Sequence, residues 1–221
     1  MARQVSLMDS QTSDFTVFAE LFAPAGTRLF RQEAGQEDRE SLAELTLDVW
    51  QDHLGSGPHV GAYLQRADGK VRFSMFDIDV WPRDVPRAEM LRQMEDLRPS
   101  ALRAREALEH FGLSREQVLV EFSGTGYHLW VFYEEPIPAA LAQRFMQRAQ
   151  ARAGSELVYK PRYPFERDRD RVWLPLRVNH NQGMRSTFVE DLETFDPSQY
   201  PQEVNLRSLV TVQQVDIKRV M

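Results

Sequence analysis

Asp77 and Asp79 stand one residue apart near the end of the apolar run FSMFDIDVWP, Phe73 to Pro82. In an extended chain, residues i and i+2 point to the same side, with Cα atoms roughly 6–7 Å apart. Two carboxylates would then share one small volume, which is costly unless a cation lies between them. Hard divalent ions with oxygen ligands, Mg2+ or Mn2+, suit such a pair. Two ions about 3.5–4 Å apart can clamp the attacking and leaving oxygens of phosphoryl transfer. The plainer alternative is a strand that ends in turn-forming acids, and the pair alone does not decide between them. If the acids repel, removing either should leave stability unchanged or raised.

A second stretch, FSGTGYH, places Ser123, Gly124, Gly126 and His128 together. Glycines at those positions permit a tight turn whose backbone N–H groups can approach an anion, with the Ser123 hydroxyl beside them. His128 then offers a hydrogen bond or a positive charge to a phosphate. An ordinary glycine hairpin with a half-buried histidine is the competing account. The third stretch, VWLPLRVNHNQGMRSTF, is an apolar strand followed by Arg177, Asn179, His180 and Arg185, side chains able to grip a nucleotide's phosphate tail.

The elements that must position these residues follow from periodicity. FTVFAELFAP and a helix over Arg39 to His53 suggest a small N-terminal lobe, bounded by the loose HLGSGPHVG stretch. Val60–Gln65 and Val71–Val80 read as strands joined in a hairpin at Asp68-Gly69. A helix over Arg87–Phe111, interrupted near Pro99, is followed by strands at Gln117–Phe122 and Tyr127–Tyr133 and a helix at Ala139–Ala153. Glu156–Tyr159 and Val172–Val178 are the candidates for a last strand. From Val71 onward the order is β-α-β-β-α-β, the split βαβ pattern. Its first and third strands are central and antiparallel neighbours, so Asp77 and Asp79 should meet His128 at one sheet edge. The expected fold is therefore α+β, an RNA-recognition-motif-like palm with a small N-terminal α/β lobe. The expected divisions are a lobe at 1–58, a core at 59–200 and a C-terminal segment at 201–221.

The chain of 221 residues has no cysteine, which excludes disulfides, cysteine-ligated zinc and a thiol nucleophile. A formal charge of −6 argues against coating nucleic acid by bulk electrostatics. The charge is uneven, however: residues 9–52 are acidic and residues 144–185 basic, so an anion would meet the second half. With no apolar stretch of signal-peptide or membrane-span length, the expectation is a cytoplasmic protein with no membrane contact.

Taken in order, FDIDV, FSGTGYHLWVF and VWLPLRVNHNQGMRSTFVED resemble the archaeo-eukaryotic primase superfamily, in particular bacterial and mobile-element primase-polymerases, over about residues 59–196. The resemblance implies template-directed nucleotidyl transfer from nucleoside triphosphates on single-stranded DNA. It implies divalent metals held by Asp77 and Asp79, and His128 on the incoming nucleotide's phosphates with Ser123 in support. A helicase or another replication or defence protein on a separate chain is an implied partner. The family also supplies a third metal-binding carboxylate, for which Glu156 is preferred. Asp168 and Asp170 come next, and Glu190 or Asp191 after them. A module that keeps the fold but has lost catalysis is the alternative function.

Overall fold

A computed structural model of the chain describes residues 7–33, 39–55, 57–80, 85–162, 170–179, 183–199, 209 and 211–220. The helix α1 (Leu7–Phe22) sets Phe18, Leu21 and Phe22 at helical spacing, and all three are buried. Strand β1 (Arg28–Gln32) pairs on one side with β2 (Glu40–Leu42) and on the other with β3 (His59–Tyr63). Helix α2 (Leu47–Leu54) starts later than the periodicity of residues 39–53 suggests. Thr46 stops it there, accepting a hydrogen bond from the Val49 N–H as an N-cap, and residues 40–42 are extended instead.

Strand β4 (Lys70–Asp79) does not form the expected hairpin with β3; the two lie in different sheets. The Asp68-Gly69 turn is present, with Gly69 at φ +78°, but it redirects the chain from one sheet to the other. Gly61 explains part of this choice. A Cβ there would lie 2.2 Å from the Phe30 ring, so the missing side chain lets β1 bring its phenylalanine against the backbone of β3.

Helix α3 (Arg87–His110) runs unbroken through Pro99, and the chain then passes Gly112 at φ +93°. Strands β5 (Leu119–Phe122) and β6 (Gly126–Pro138) follow, then α4 (Ala139–Ala153) and the short β7 (Val158–Lys160). Strand β8 (Arg171–Trp173) crosses back to pair with β3, β9 (Val178–Asn179) pairs with β10 (Met184–Arg185), and β11 (Thr187–Phe188) returns to β5.

The larger sheet thus has the order β11-β5-β6-β4-β7, with every pairing antiparallel. Four of its strands, β5-β6-β4-β7, follow the split βαβ order, and the fold is α+β. Helices α3 and α4 cover the face carrying Phe76, Ile78, Leu129 and Val131. On the other face, Phe22 of α1 meets Trp130 and Phe132 edge-on, with centroids 5.1 and 5.0 Å away. The smaller sheet, β2-β1-β3-β8, includes β3 and β8 from beyond residue 58, so the two sheets do not divide the chain at that point. Residues 211–220 dock on the core: the Val215 N–H donates to Phe132 O at 2.7 Å, and Ile217 is buried. Among the described residues no helix is long and apolar enough to cross a membrane.

His53 joins the smaller sheet to α2. Its Nδ1 accepts from the Val60 N–H at 3.0 Å, which leaves Nε2–H to donate to Pro175 O at 3.0 Å. Protonation would set a second N–H against that of Val60. Burial, with further opposition from Arg177 and His59, lowers its pKa to about 3, although the Pro175 carbonyl pulls the other way. The unfolded imidazole titrates near 6.5, so between about 6.5 and 3 the unfolded chain binds the extra proton. Stability from this group is present above that window and falls as pH drops through it, by at most about 1.4 kcal/mol per pH unit. His53→Gln keeps one donor and one acceptor without titrating. Urea unfolding at pH 7 and pH 5 is expected to show a larger loss for wild type than for His53→Gln; equal losses would refute this assignment.

Candidate active site

The register of β4 on β6 places Asp77 opposite His128 and Asp79 opposite Gly126. Ligand atoms of Asp77, Asp79 and His128 lie within 4.8 Å of one another, and all three residues are half-buried. They line a cleft of about 180 Å³ between the two sheets. Its walls include Ser123 and Thr125 from the β5–β6 turn, Lys160 from β7, and Phe30, Trp173 and Arg177 from the opposite side.

Asp79 Oδ1 accepts from Thr125 Oγ at 3.1 Å and, more weakly, from Ser123 Oγ at 3.5 Å. The turn is held there because the Val80 N–H donates to Thr125 O at 2.8 Å. Gly124 sits at φ +84°, where a Cβ would be strained. Gly126 has another reason to be glycine: a Cβ would lie 2.0 Å from the Ile78 carbonyl oxygen.

Asp77 lies between two cations. Lys160 Nζ is 3.1 Å from Oδ2, and His128 Nε2 is 3.5 Å from Oδ1. Burial opposes ionisation of Asp77, but His128 and Lys160 outweigh it and hold the carboxyl well below the usual carboxylate range. Burial also opposes charge on His128, yet Glu121 and Asp77 together raise its pKa to about 10. The group beside the cleft is therefore an imidazolium at neutral pH.

The remaining expected site residues lie elsewhere or are turned inward. Glu156 is not beside the aspartates: it precedes β7 in a turn, is exposed, and pairs with Arg103 of α3 at 2.9 Å. Only three residues of β7 pair with β4, and the chain joins the sheet at Val158, after Glu156 has passed. Asp170 accepts from the Arg162 N–H, and burial raises its pKa. Asp191 pairs with Arg115 beyond the far edge strand β11. Asp168 and His180 lie outside the described residues, as does the side chain of Asn179. Arg185 does not line the cleft; its Nη1 donates to the carbonyls of Leu54 and Leu176. Arg177 faces the cleft, with its guanidinium over the Trp173 ring at 5.4 Å.

Sequence reasoning missed Lys160, Thr125 and Glu121. The last left a signal, an acid inside the otherwise apolar LVEF strand, where all four residues are buried. A larger hollow of about 330 Å³ beyond β5, lined by Arg115, Val118 and Val212, is remote from the carboxylate pair.

A family model described as the archaeo-eukaryotic primase (AEP) domain of the TOTE conflict system matches residues 8–220. Among solved structures, the AEP domain of the cyanophage S-2L primase-polymerase (PrimPol) is similar at 15% identity and a TM-score of 0.48, over 91% of this chain and 98% of that one. No curated protein matches the chain.

Proposed function

The chain belongs to the family of TOTE conflict system archaeo-eukaryotic primase domains, and from that premise we propose that it is a template-directed nucleotidyltransferase. It would act as a primase, a DNA polymerase or both, joining nucleoside triphosphates on single-stranded DNA with Mg2+ or Mn2+. The observation that carries this reading is the meeting of Asp77, Asp79 and His128 at one strand end, beside a cleft with basic walls.

The donor set fits a hard divalent cation: two carboxylates on one strand face, half-buried, with the Lys160 ammonium already drawn to one of them. Asp77 and Asp79 would hold the ion, which when bound neutralises charge on phosphate oxygens and favours ionisation of an attacking hydroxyl. Ser123 and Thr125 fix the Asp79 carboxylate by hydrogen bonds. His128, cationic and with Nε2 toward the cleft, would donate to a phosphate oxygen of the incoming nucleotide. Arg177 would extend that grip along the phosphate tail. Residues 59–200 would carry the metal- and phosphate-binding groups, with β1 and β2 completing the smaller sheet and Phe30 a wall of the cleft, and a helicase or defence protein on another chain would supply template.

A second reading, a binding module that has lost catalysis, is favoured by one observation. Among the described residues the candidate metal cluster holds two acids and a histidine, with no third carboxylate. Primer synthesis on single-stranded DNA with labelled ATP and dATP and Mn2+ separates the two. Labelled oligonucleotides are expected. Absence of product, together with triphosphate binding that ignores Mn2+ in calorimetry, would establish the module instead.

His128→Ala is expected to weaken triphosphate binding about 10-fold or more, the size of a lost hydrogen bond to a charged group. Lost turnover at an unchanged nucleotide KM would count against the phosphate contact.

A further inference from the structure

Glu121 is 3% exposed in the middle of the larger sheet, and a buried carboxylate is tolerated only when its oxygens are paired. Oε2 accepts from His128 Nδ1 at 2.8 Å and from Trp130 Nε1 at 2.9 Å. Oε1 accepts from Ser186 Oγ at 2.6 Å. Ser186, itself buried, accepts from the Leu176 N–H at 2.6 Å. Leu176 has φ +72° and immediately precedes Arg177, so the chain of bonds runs from the loop after β8 to the histidine.

The consequence for His128 is geometric. A nitrogen bonded to a carboxylate must carry the proton, so Nδ1 is the N–H and the ring cannot flip without breaking the bond. Trp130, edge-on to the imidazole with centroids 5.8 Å apart, closes the other side. Nε2 is thereby aimed at the Asp77 side of the cleft.

We propose that Glu121 is a positioning residue, which acts on the reaction only by fixing the ring orientation and Nδ1 proton of His128 so that Nε2 faces the phosphates of the incoming nucleotide. This rests on the role given to His128 above. Glu121 itself would touch neither metal nor substrate, because His128, Trp130 and Ser186 occupy both its oxygens.

The test is a double-mutant cycle on the full chain with Glu121→Gln, His128→Ala and the pair. Its readouts are calorimetric affinity for ATP in the presence of Mn2+, and KM and kcat in primer extension. Glu121→Gln keeps the shape and the Trp130 acceptor but loses the charge. It is expected to raise the Kd and KM for nucleotide about 10-fold, with kcat changed less, and to have no further effect in the His128→Ala background. In 15N-histidine NMR the protonated Nδ1 of His128 should be visible in wild type and altered in Glu121→Gln.

An equal loss from Glu121→Gln in both backgrounds would mean that the carboxylate merely supports the fold. Wild-type affinity for Glu121→Gln beside a weakened His128→Ala would overturn the inference and leave the function standing. Wild-type affinity for His128→Ala would overturn both. Should Glu121→Gln not fold, Glu121→Asp, which keeps the charge and retracts it by one methylene, carries the same cycle.

Discussion

Asp77→Ala and Asp79→Ala are each expected to lower nucleotidyl transfer by on the order of 10²–10³-fold or more, the range for removing a group that stabilises charge in a transition state. Their effects on folding should differ. The sequence alone suggests that removing either acid relieves repulsion, but the structure corrects this for Asp77, whose partners are cations. Without it, Lys160 and His128, each mostly buried, face one another with no anion between them. That should cost about 1–3 kcal/mol. The sign follows from the lowered pKa: a carboxylate easier to ionise in the fold stabilises it above the unfolded value near 4, and the contribution falls as pH drops below that. The gap between wild type and Asp77→Ala should therefore narrow in acid. Asp79 instead accepts from the hydroxyls of Ser123 and Thr125, which already hydrogen-bond each other at 3.3 Å and keep that partner once it is gone. Its loss should cost under about 1 kcal/mol. Primer extension at saturating Mn2+ and urea unfolding at pH 7 and about pH 3, below the unfolded carboxyl value, measure both. Wild-type extension by either variant would remove the metal assignment, and equal destabilisation would remove the ion-pair account.

The part of this site legible in the sequence is the part fixed by periodicity within one strand and by the order of elements. Asp77 and Asp79 share a face because the strand period is two, and His128 meets them because the split βαβ order makes β4 and β6 neighbours. Helix α4 was legible to the residue, since Ala139–Ala153 has a clear apolar face and ends at glycine. What failed depended on partners in other elements. Whether β3 pairs with β4 or with β1 turns on the fit of the Phe30 ring over Gly61, which no local pattern records. Glu156 misses the cleft because β7 is only three residues long and Arg103 of α3 holds the carboxylate elsewhere. Arg185 looks phosphate-competent by type, yet it does not line the cleft and its Nη1 donates to carbonyls of residues 54 and 176. Glu121 and Lys160 were passed over for the same reason: their roles are set by His128, Ser186 and Asp77, which the fold brings from other parts of the chain.

Gly126→Ala should be the most damaging single methyl added to the molecule. The Cβ would lie 2.0 Å from Ile78 O, 2.9 Å from Ile78 C and 2.8 Å from Asp79 Cα. All are backbone atoms of the central strand β4, which cannot rotate aside as a side chain can. Strands β4 and β6 must separate where Asp79 faces residue 126, or the β5–β6 turn must rebuild. Overpacking usually costs about 1–3 kcal/mol, and a backbone obstacle puts this case at about 3 kcal/mol or more. Gly124→Ala, two residues away, supplies the comparison: it meets left-handed strain at φ +84°, at about 1–2 kcal/mol. Gly183→Ala, at φ +62° with nothing within 4 Å of its Cβ, isolates that strain without crowding. The ordering expected in thermal unfolding is Gly126→Ala far below wild type, with the other two modestly and similarly lowered. Activity should follow a steeper rule. Moving Asp79 by about 1 Å relative to His128 misaligns the two groups proposed to hold the ion and the phosphates, and a displacement of that size can cost about 10²-fold. Any folded Gly126→Ala should accordingly lose primer extension at temperatures where it remains native, while Gly183→Ala keeps it. If Gly126→Ala melts no lower than Gly124→Ala and extends primers normally, the close approach of β4 and β6 at Asp79 is not what requires glycine at 126.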